Sequence, residues 1–126
     1  MLKMQKTDFK KPKKDSFYDA IGKKFVLVFF TPDLLDCVFL ANSADIQSIC
    51  YSKAPYLEGT KNILKARFYD NIDSAKSDIY TLRYHHREFL KIKIGIVPAK
   101  NFMLTKGNDF IVETYSDLNR FLPKNS

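Results

Sequence analysis

The sequence contains few of the residues on which several large classes of protein depend. Its two cysteines among 126 residues, Cys37 and Cys50, are too few for a disulfide-rich scaffold or a four-ligand zinc site. Its four glycines form neither a GxGxxG nor a GxxxxGK phosphate-binding loop. No stretch approaches the roughly 20 apolar residues that span a bilayer, and the N-terminus lacks the apolar core of a signal peptide.

These absences exclude several kinds of site. We expect no metal site, no cofactor and no transmembrane segment. The adjacent His85 and His86 do not alter this expectation, because neighbouring positions of a helix point about 100° apart. The chain as given predicts a cytoplasmic protein, although an exported protein whose signal peptide has been removed would show the same sequence.

The composition is that of a folded chain whose positive charge is concentrated at one end. Hydrophobic residues make up 45% of the sequence, and 11 Phe and 7 Tyr supply material for a core. The net charge of +7, taken whole, suggests nucleic acid or an anionic membrane as a partner. Residues 1–14, however, hold six lysines and one aspartate, so the rest of the chain carries only +2. The six are Lys3, Lys6, Lys10, Lys11, Lys13 and Lys14. We predict a flexible basic arm over residues 1–14 and one folded domain over residues 15–126.

Apolar runs and helix caps predict strands that alternate with helices. The run over residues 24–30 is rich in Val and Phe and is typical of a central strand buried on both faces. Thr31, Pro32 and Asp33 combine a capping side chain, a proline and an acid, and predict a helix that continues to Ile49. The other predicted elements are a short helix over 15–21, a strand over 62–69, a helix over 73–88 with Ile79, Leu82 and Tyr80 on its buried side, a strand over 92–97, a hairpin of 102–104 with 109–115 around a turn at 105–108, and a helix over 117–122. The order β-α-β-α-β-β-α predicts an α/β sandwich whose central mixed sheet has helices on both faces.

Five strings along residues 22–123 carry a family resemblance. Residues 22–30 are similar to the strand that precedes the active site in one superfamily, and residues 31–37 stand where many of its members carry Pro-Asp-Cys-x-x-Cys. Residues 92–99 are similar to the approach to its cis-proline, 102–112 to its terminal hairpin and 117–122 to its last helix. The sequence thus resembles the thioredoxin-like superfamily, in its TlpA-like or peroxiredoxin-like branch, and the resemblance implies a thioredoxin-like sandwich.

The sequence departs from that family at the first active-site cysteine. In this frame Leu34 stands in place of the nucleophile and only the second cysteine, Cys37, remains. A dithiol–disulfide cycle needs two sulfurs close together, so the resemblance implies a degenerate site and a redox-inactive protein-binding or assembly module. The implied binding face consists of Thr31, Pro32, Asp33, Leu34, Val97 and Pro98. The resemblance also implies a cis peptide bond at Val97–Pro98, whereas the residues alone fit an ordinary trans proline equally well.

Two other functions stay open from the sequence. A monothiol thiol-disulfide oxidoreductase would use Cys37 as its nucleophile, although the charge of the neighbouring Asp36 opposes formation of the thiolate. A nucleic-acid or membrane-surface accessory protein would act through the lysine-rich arm, with weak and salt-sensitive affinity. We lean against an enzyme and expect a protein or peptide partner, with nucleic acid or an anionic surface as the alternative. The oligomeric state is left open.

Overall fold

The strand β1, Phe25–Phe30, lies inside the sheet and is flanked by strands on both sides. The computed structural model describes residues 20–103, 112–115 and 119–123. The other strands are β2 (Cys37–Leu40), β3 (Leu57–Thr60), β4 (Lys93–Pro98) and β5 (Val112–Tyr115). The helices are α1 (Ile46–Tyr51), α2 (Ile72–His85) and α3 (Lys100–Met103), and short 3₁₀ turns occupy Ile63–Lys65, Arg87–Lys91 and Asn119–Phe121.

The five strands form one sheet in the order β4-β1-β2-β3-β5, and every described pair is antiparallel. The predicted α/β class is therefore confirmed, but the predicted mixed sheet and the order β-α-β-α-β-β-α are wrong. The reason lies between β1 and β2, where residues 31–36 form a tight turn that brings Cys37 opposite Phe30. A parallel neighbour would need a crossover of a dozen or more residues, which this turn does not supply.

The predicted helix from Thr31 to Ile49 does not form. Residues 38–40 are instead buried as part of β2, and the first helix after β1 begins only at Ile46. Asp45 caps that helix by accepting hydrogen bonds from the N–H groups of Gln47 and Ser48. The side chains of Thr31 and Asp33 do form local hydrogen bonds, but these bonds close a turn instead of starting a helix.

Five other predictions meet mixed outcomes. The predicted helix over 73–88 is confirmed as α2, with Asn71 as its cap, and the predicted strand over 92–97 is confirmed as β4. The predicted strand over 62–69 is reduced to isolated bridges at Ala66 and Tyr69. Residues 102 and 103 belong to α3, and β5 pairs with β3 instead of forming the predicted hairpin. Residues 119–121 of the predicted last helix form a 3₁₀ turn. The arm over 1–14 and the turn at 105–108 lie outside the described residues.

Two apolar clusters sandwich the sheet. Leu27 and Phe29 of β1 face one cluster, which α1 and α2 complete, while Val26 and Val28 face the other. The second cluster includes Ile21, from helical residues 20–22, and Ala99, from the turn before α3. The prediction that β1 is buried on both faces is confirmed. No described helix combines the length and the apolar character needed to cross a membrane.

Candidate functional site

The structure does not bring the two halves of the predicted loop face together. Cys37 pairs with Phe30 at one end of β1, whereas Pro98 pairs with Phe25 at the other end. Five residue-to-residue steps along β1 separate the two ends, a distance of about 17 Å at roughly 3.3–3.4 Å per step. The peptide bond between Val97 and Pro98 is trans, like every other described one, so the cis-proline implied by the resemblance is absent. The prediction of a single face is therefore wrong: residues 31–34 lie beyond one end of β1, and Val97 and Pro98 lie at the other end.

The turn over residues 31–36 is fixed by its own polar groups. The Thr31 hydroxyl donates to the Asp33 carboxylate at 2.7 Å and accepts from the Asp36 N–H at 3.1 Å. This geometry holds Leu34 at a φ of +62°, in the left-handed region that a leucine rarely adopts. Leu34 and Leu35 both point into solvent, Leu35 with 86% of its surface exposed.

Beside this turn lies a recess of about 620 Å³. Thr31, Pro32 and Asp33 line it together with Arg120 and Pro123, in place of the predicted Val97 and Pro98.

Asp36 anchors the turn to the rest of the domain. Its carboxylate lies 3.1 Å from the Lys61 ammonium and forms a further ion pair with Arg120. Partial burial on its own would raise the pKa of this carboxyl. The hydrogen bonds from Lys61 and from the Cys37 N–H, with the charges of Lys61 and Arg120, outweigh burial and hold the pKa below its usual value. Asp36 is thus a structural anion at neutral pH.

Cys37 is a half-buried thiol in an unfavourable setting for nucleophilic chemistry. Burial raises the pKa of the Cys37 thiol, the Asp36 charge raises it further, and only Lys61 opposes them. Both Cys37 and Cys50 are free, and they pack in the two different apolar clusters on opposite faces of the sheet. Because Cys37 begins a strand, it also lacks the helix N-terminus expected to activate it.

An exposed apolar groove lies between α2 and β4. It encloses about 570 Å³ and is lined by residues of α2, the 3₁₀ turn after it and β4: Lys76, Ile79, Tyr80, Arg83, Tyr84, Leu90, Ile94 and Ile96. Its floor is apolar, since Ile79 is buried and Ile94 and Ile96 are half-buried against the core. Its walls stand in solvent, with Tyr80 70%, Tyr84 72% and Leu90 58% exposed.

An aromatic row extends the groove along α2. Tyr80 and Tyr84, one helical turn apart, stack with ring centroids 6.2 Å apart. Tyr84 contacts the ring of His85 at 5.2 Å, and His85 contacts Tyr51 of α1 at 5.7 Å. The row therefore leads from the groove wall to the end of α1.

Arg83 fixes one wall of the groove. Its guanidinium donates to the carbonyl of Phe89 at 3.0 Å and to that of Ile92 at 3.1 Å. These bonds tie the 3₁₀ turn Arg87–Lys91, which carries Leu90, to α2. Arg83 and Lys76 give the groove a positive charge.

The sequence pattern predicted neither this groove nor the exposure of Tyr80. Tyr80 was predicted on the buried side of the helix, but it is largely exposed, whereas Ile79 and Leu82 are buried as predicted. The available signal was the helical spacing of Lys76, Tyr80 and Tyr84, which places three long side chains along one stripe beside the buried one.

His86 donates its Nε2–H to the Ile49 carbonyl, 2.9 Å away, and thus has a structural partner. Throughout residues 20–103, 112–115 and 119–123, no three His, Cys, Asp or Glu side chains cluster closely enough to hold a metal ion.

No family model, curated protein or solved structure matches this chain. The thioredoxin-like resemblance therefore depends on the five sequence strings alone.

Proposed function

We propose that this domain is a protein-binding module and that the groove between α2 and β4 is its binding surface. The observation that carries the proposal is the exposure of Tyr80, Tyr84 and Leu90 above a floor of isoleucines. Tyrosine and other large apolar side chains dominate the energetics of protein interfaces, and contiguous exposed apolar surface marks interaction sites.

A macromolecular partner suits the size and openness of this surface. If each of the three side chains lost on the order of 100 Å² of exposed apolar surface, burial would contribute about 7 kcal/mol before the costs of association. Since association itself costs at least about 4 kcal/mol, the groove alone supports weak binding, and further contacts would set the affinity.

The proposal keeps the protein-binding function predicted from the sequence but moves it from the loop face to the groove. Membership of the thioredoxin-like superfamily and the cytoplasmic location stay predictions, and the binding proposal depends on neither. The raised pKa of the Cys37 thiol supports a function without thiol chemistry.

Panning a phage-displayed library of random 12-residue peptides on the wild-type protein tests the proposal. We expect enriched peptides whose affinity falls about tenfold in Leu90→Ser, since losing half of a leucine's burial costs about 1.4 kcal/mol. Leu35→Ser is the matched control, because this more exposed leucine does not line the groove. Enriched peptides that bind Leu90→Ser and Tyr84→Ser as tightly as wild type, or no enrichment at all, would contradict the proposal.

A further inference from the structure

β4 is an edge strand of the sheet, and the direction of its outward backbone groups can be derived from the hydrogen bonds of β1. Phe25 exchanges both backbone hydrogen bonds with Tyr69, each at 2.8 Å, on the side of β1 away from β4. Backbone groups alternate in direction along a strand, so Val26 and Val28 turn theirs toward β4. Their partners Val97 and Gly95 point back toward β1.

The intervening residues of β4, Ile94 and Ile96, therefore direct their N–H and C=O groups away from the sheet. Among the described strands, none pairs with β4 on that side. The free stretch is bounded at both ends. The N–H and C=O of Ile92 are already bonded, to Phe89 and Arg83, and Pro98 has no N–H.

The same two isoleucines also form the floor of the groove with their side chains. An occupant that lies along β4 would thus meet unpaired backbone donors and acceptors and an apolar floor at the same residues. An extended polypeptide backbone matches the alternating N–H and C=O groups of a strand edge.

The charges around the groove define the occupant further. Lys76 and Arg83 line it, and Lys93 is exposed at the start of β4. A second copy of the chain would bring these cations against their own equivalents, and the arm over residues 1–14 is itself strongly basic. An acidic segment is the complementary partner.

We propose that an extended acidic segment of a partner protein adds as a strand to the outer edge of β4, placing alternate apolar side chains in the groove. This inference rests on the proposed function and specifies its binding mode. Because the free edge is only two outward residues long, the tyrosines and Leu90 must share the binding with the backbone.

The probe that tests the binding mode is a fluorescein-labelled nine-residue peptide of alternating glutamate and valine. It is compared with three other peptides. Two are N-methylated versions of it, one for each register in which alternate amides can face β4. The third replaces glutamate with lysine. We expect N-methylation and charge reversal each to weaken binding at least tenfold by fluorescence anisotropy. Saturation with the glutamate–valine peptide should slow amide exchange of Ile94 and Ile96 at least tenfold.

A proline substitution on the protein removes one outward donor. Ile96→Pro deletes an N–H that takes no part in the β1–β4 ladder, and Ile96→Val is its reference because it keeps that N–H. We expect the proline variant to bind the peptide about tenfold more weakly than the valine variant. If it does not fold, the N-methylated peptides test the same hydrogen bonds on wild-type protein.

The outcomes separate the two proposals. Equal binding of the N-methylated peptides would overturn strand addition while leaving groove binding intact, and tighter binding of the lysine peptide would overturn the acidic assignment. Failure of the glutamate–valine peptide, while peptides selected by panning bind through Leu90, would also overturn the acidic strand. Protected Ile94 and Ile96 amides in the free protein would assign the edge to a second copy if the protein sediments as a dimer, or to a segment of this chain if it is a monomer.

Discussion

A methyl group added at Gly59 should destabilise the domain strongly. Gly59 lies in β3 opposite Leu40 of β2, and a Cβ at this position would stand 2.8 Å from the Val38 Cγ2 and 3.2 Å from the Phe39 carbonyl oxygen. Carbon atoms attract at about 3.5–4.0 Å, so the first contact is a severe overlap. Val38 is 2% exposed and Phe39 O belongs to the adjacent strand, so neither neighbour can move without disturbing the core.

The magnitude follows from the cost of overpacking. Extra methyl groups in a packed core cost about 1–3 kcal/mol, and the backbone oxygen places Gly59→Ala near the upper end, at about 2–3 kcal/mol. That is a large part of the roughly 5–15 kcal/mol that stabilises a domain, and it corresponds to a loss of roughly 10 °C in Tm.

Urea denaturation followed by circular dichroism at 25 °C measures this effect. Gly22→Ala is the matched control, because its Cβ would meet nothing closer than the Lys100 Cβ at 3.8 Å and because Gly22 is helical. There the same methyl should stabilise the fold by about 0.5–1 kcal/mol. A Gly59→Ala variant within about 0.5 kcal/mol of wild type would refute the close packing of β3 on β2.

Three further predictions concern the turn after β1. The pKa of the Asp36 carboxyl is lowered in the folded state, so its contribution to stability is present above the unfolded value of about 3.9 and is lost as pH falls through the lower folded pKa. Urea denaturation between about pH 2 and 5 should show this loss as a slope of the free energy of unfolding against pH. Asp36→Asn should reduce that slope, and an unchanged slope would contradict the pairing with Lys61. Iodoacetamide should alkylate the Cys37 thiol more slowly than free cysteine at pH 7.5, and the alkylation rate should reach its midpoint above about pH 8.5. A midpoint below that pH would restore the monothiol hypothesis. Leu34→Gly should stabilise the fold by about 1 kcal/mol because it relieves the positive φ, whereas a loss comparable to that of Leu35→Gly would show that no strain is stored there.

The parts of the fold that were predictable from the sequence are those that local pattern determines. The run in β1 and the periodicity of α2 specify a buried strand and a helix without reference to the rest of the chain. The turn at Thr31 was not predictable in this way, since the same hydroxyl and carboxylate can cap a helix or close a turn. What decides between them is the pairing of residues 37–39 with β1, a contact that composition does not encode.

The candidate site depends even more on contacts between distant parts of the chain. The groove exists because β4 lies beside α2 and because Arg83 binds the carbonyls that hold the 3₁₀ turn in place. The sequence does place Tyr80 and Tyr84 one turn apart, but it does not show which side of α2 the sheet will cover. For the same reason, the predicted face that joined Thr31 to Pro98 failed. The two segments are neighbours of one strand, but at its opposite ends.

The position of β4 also affects the tendency of this chain to aggregate. β1, β2 and β3 follow one another along the sequence, whereas β4 pairs with β1 although α2 and the strands β2 and β3 lie between them in the chain. Until β4 docks, and whenever it detaches, the uncharged segment Phe25–Phe30 is itself a sheet edge with strong β-propensity and no proline or glycine. Such segments pair readily with copies of themselves and aggregate. By pairing with β1, β4 therefore covers an edge that would otherwise favour aggregation. Any change that weakens the pairing of β4 exposes the chain to self-association.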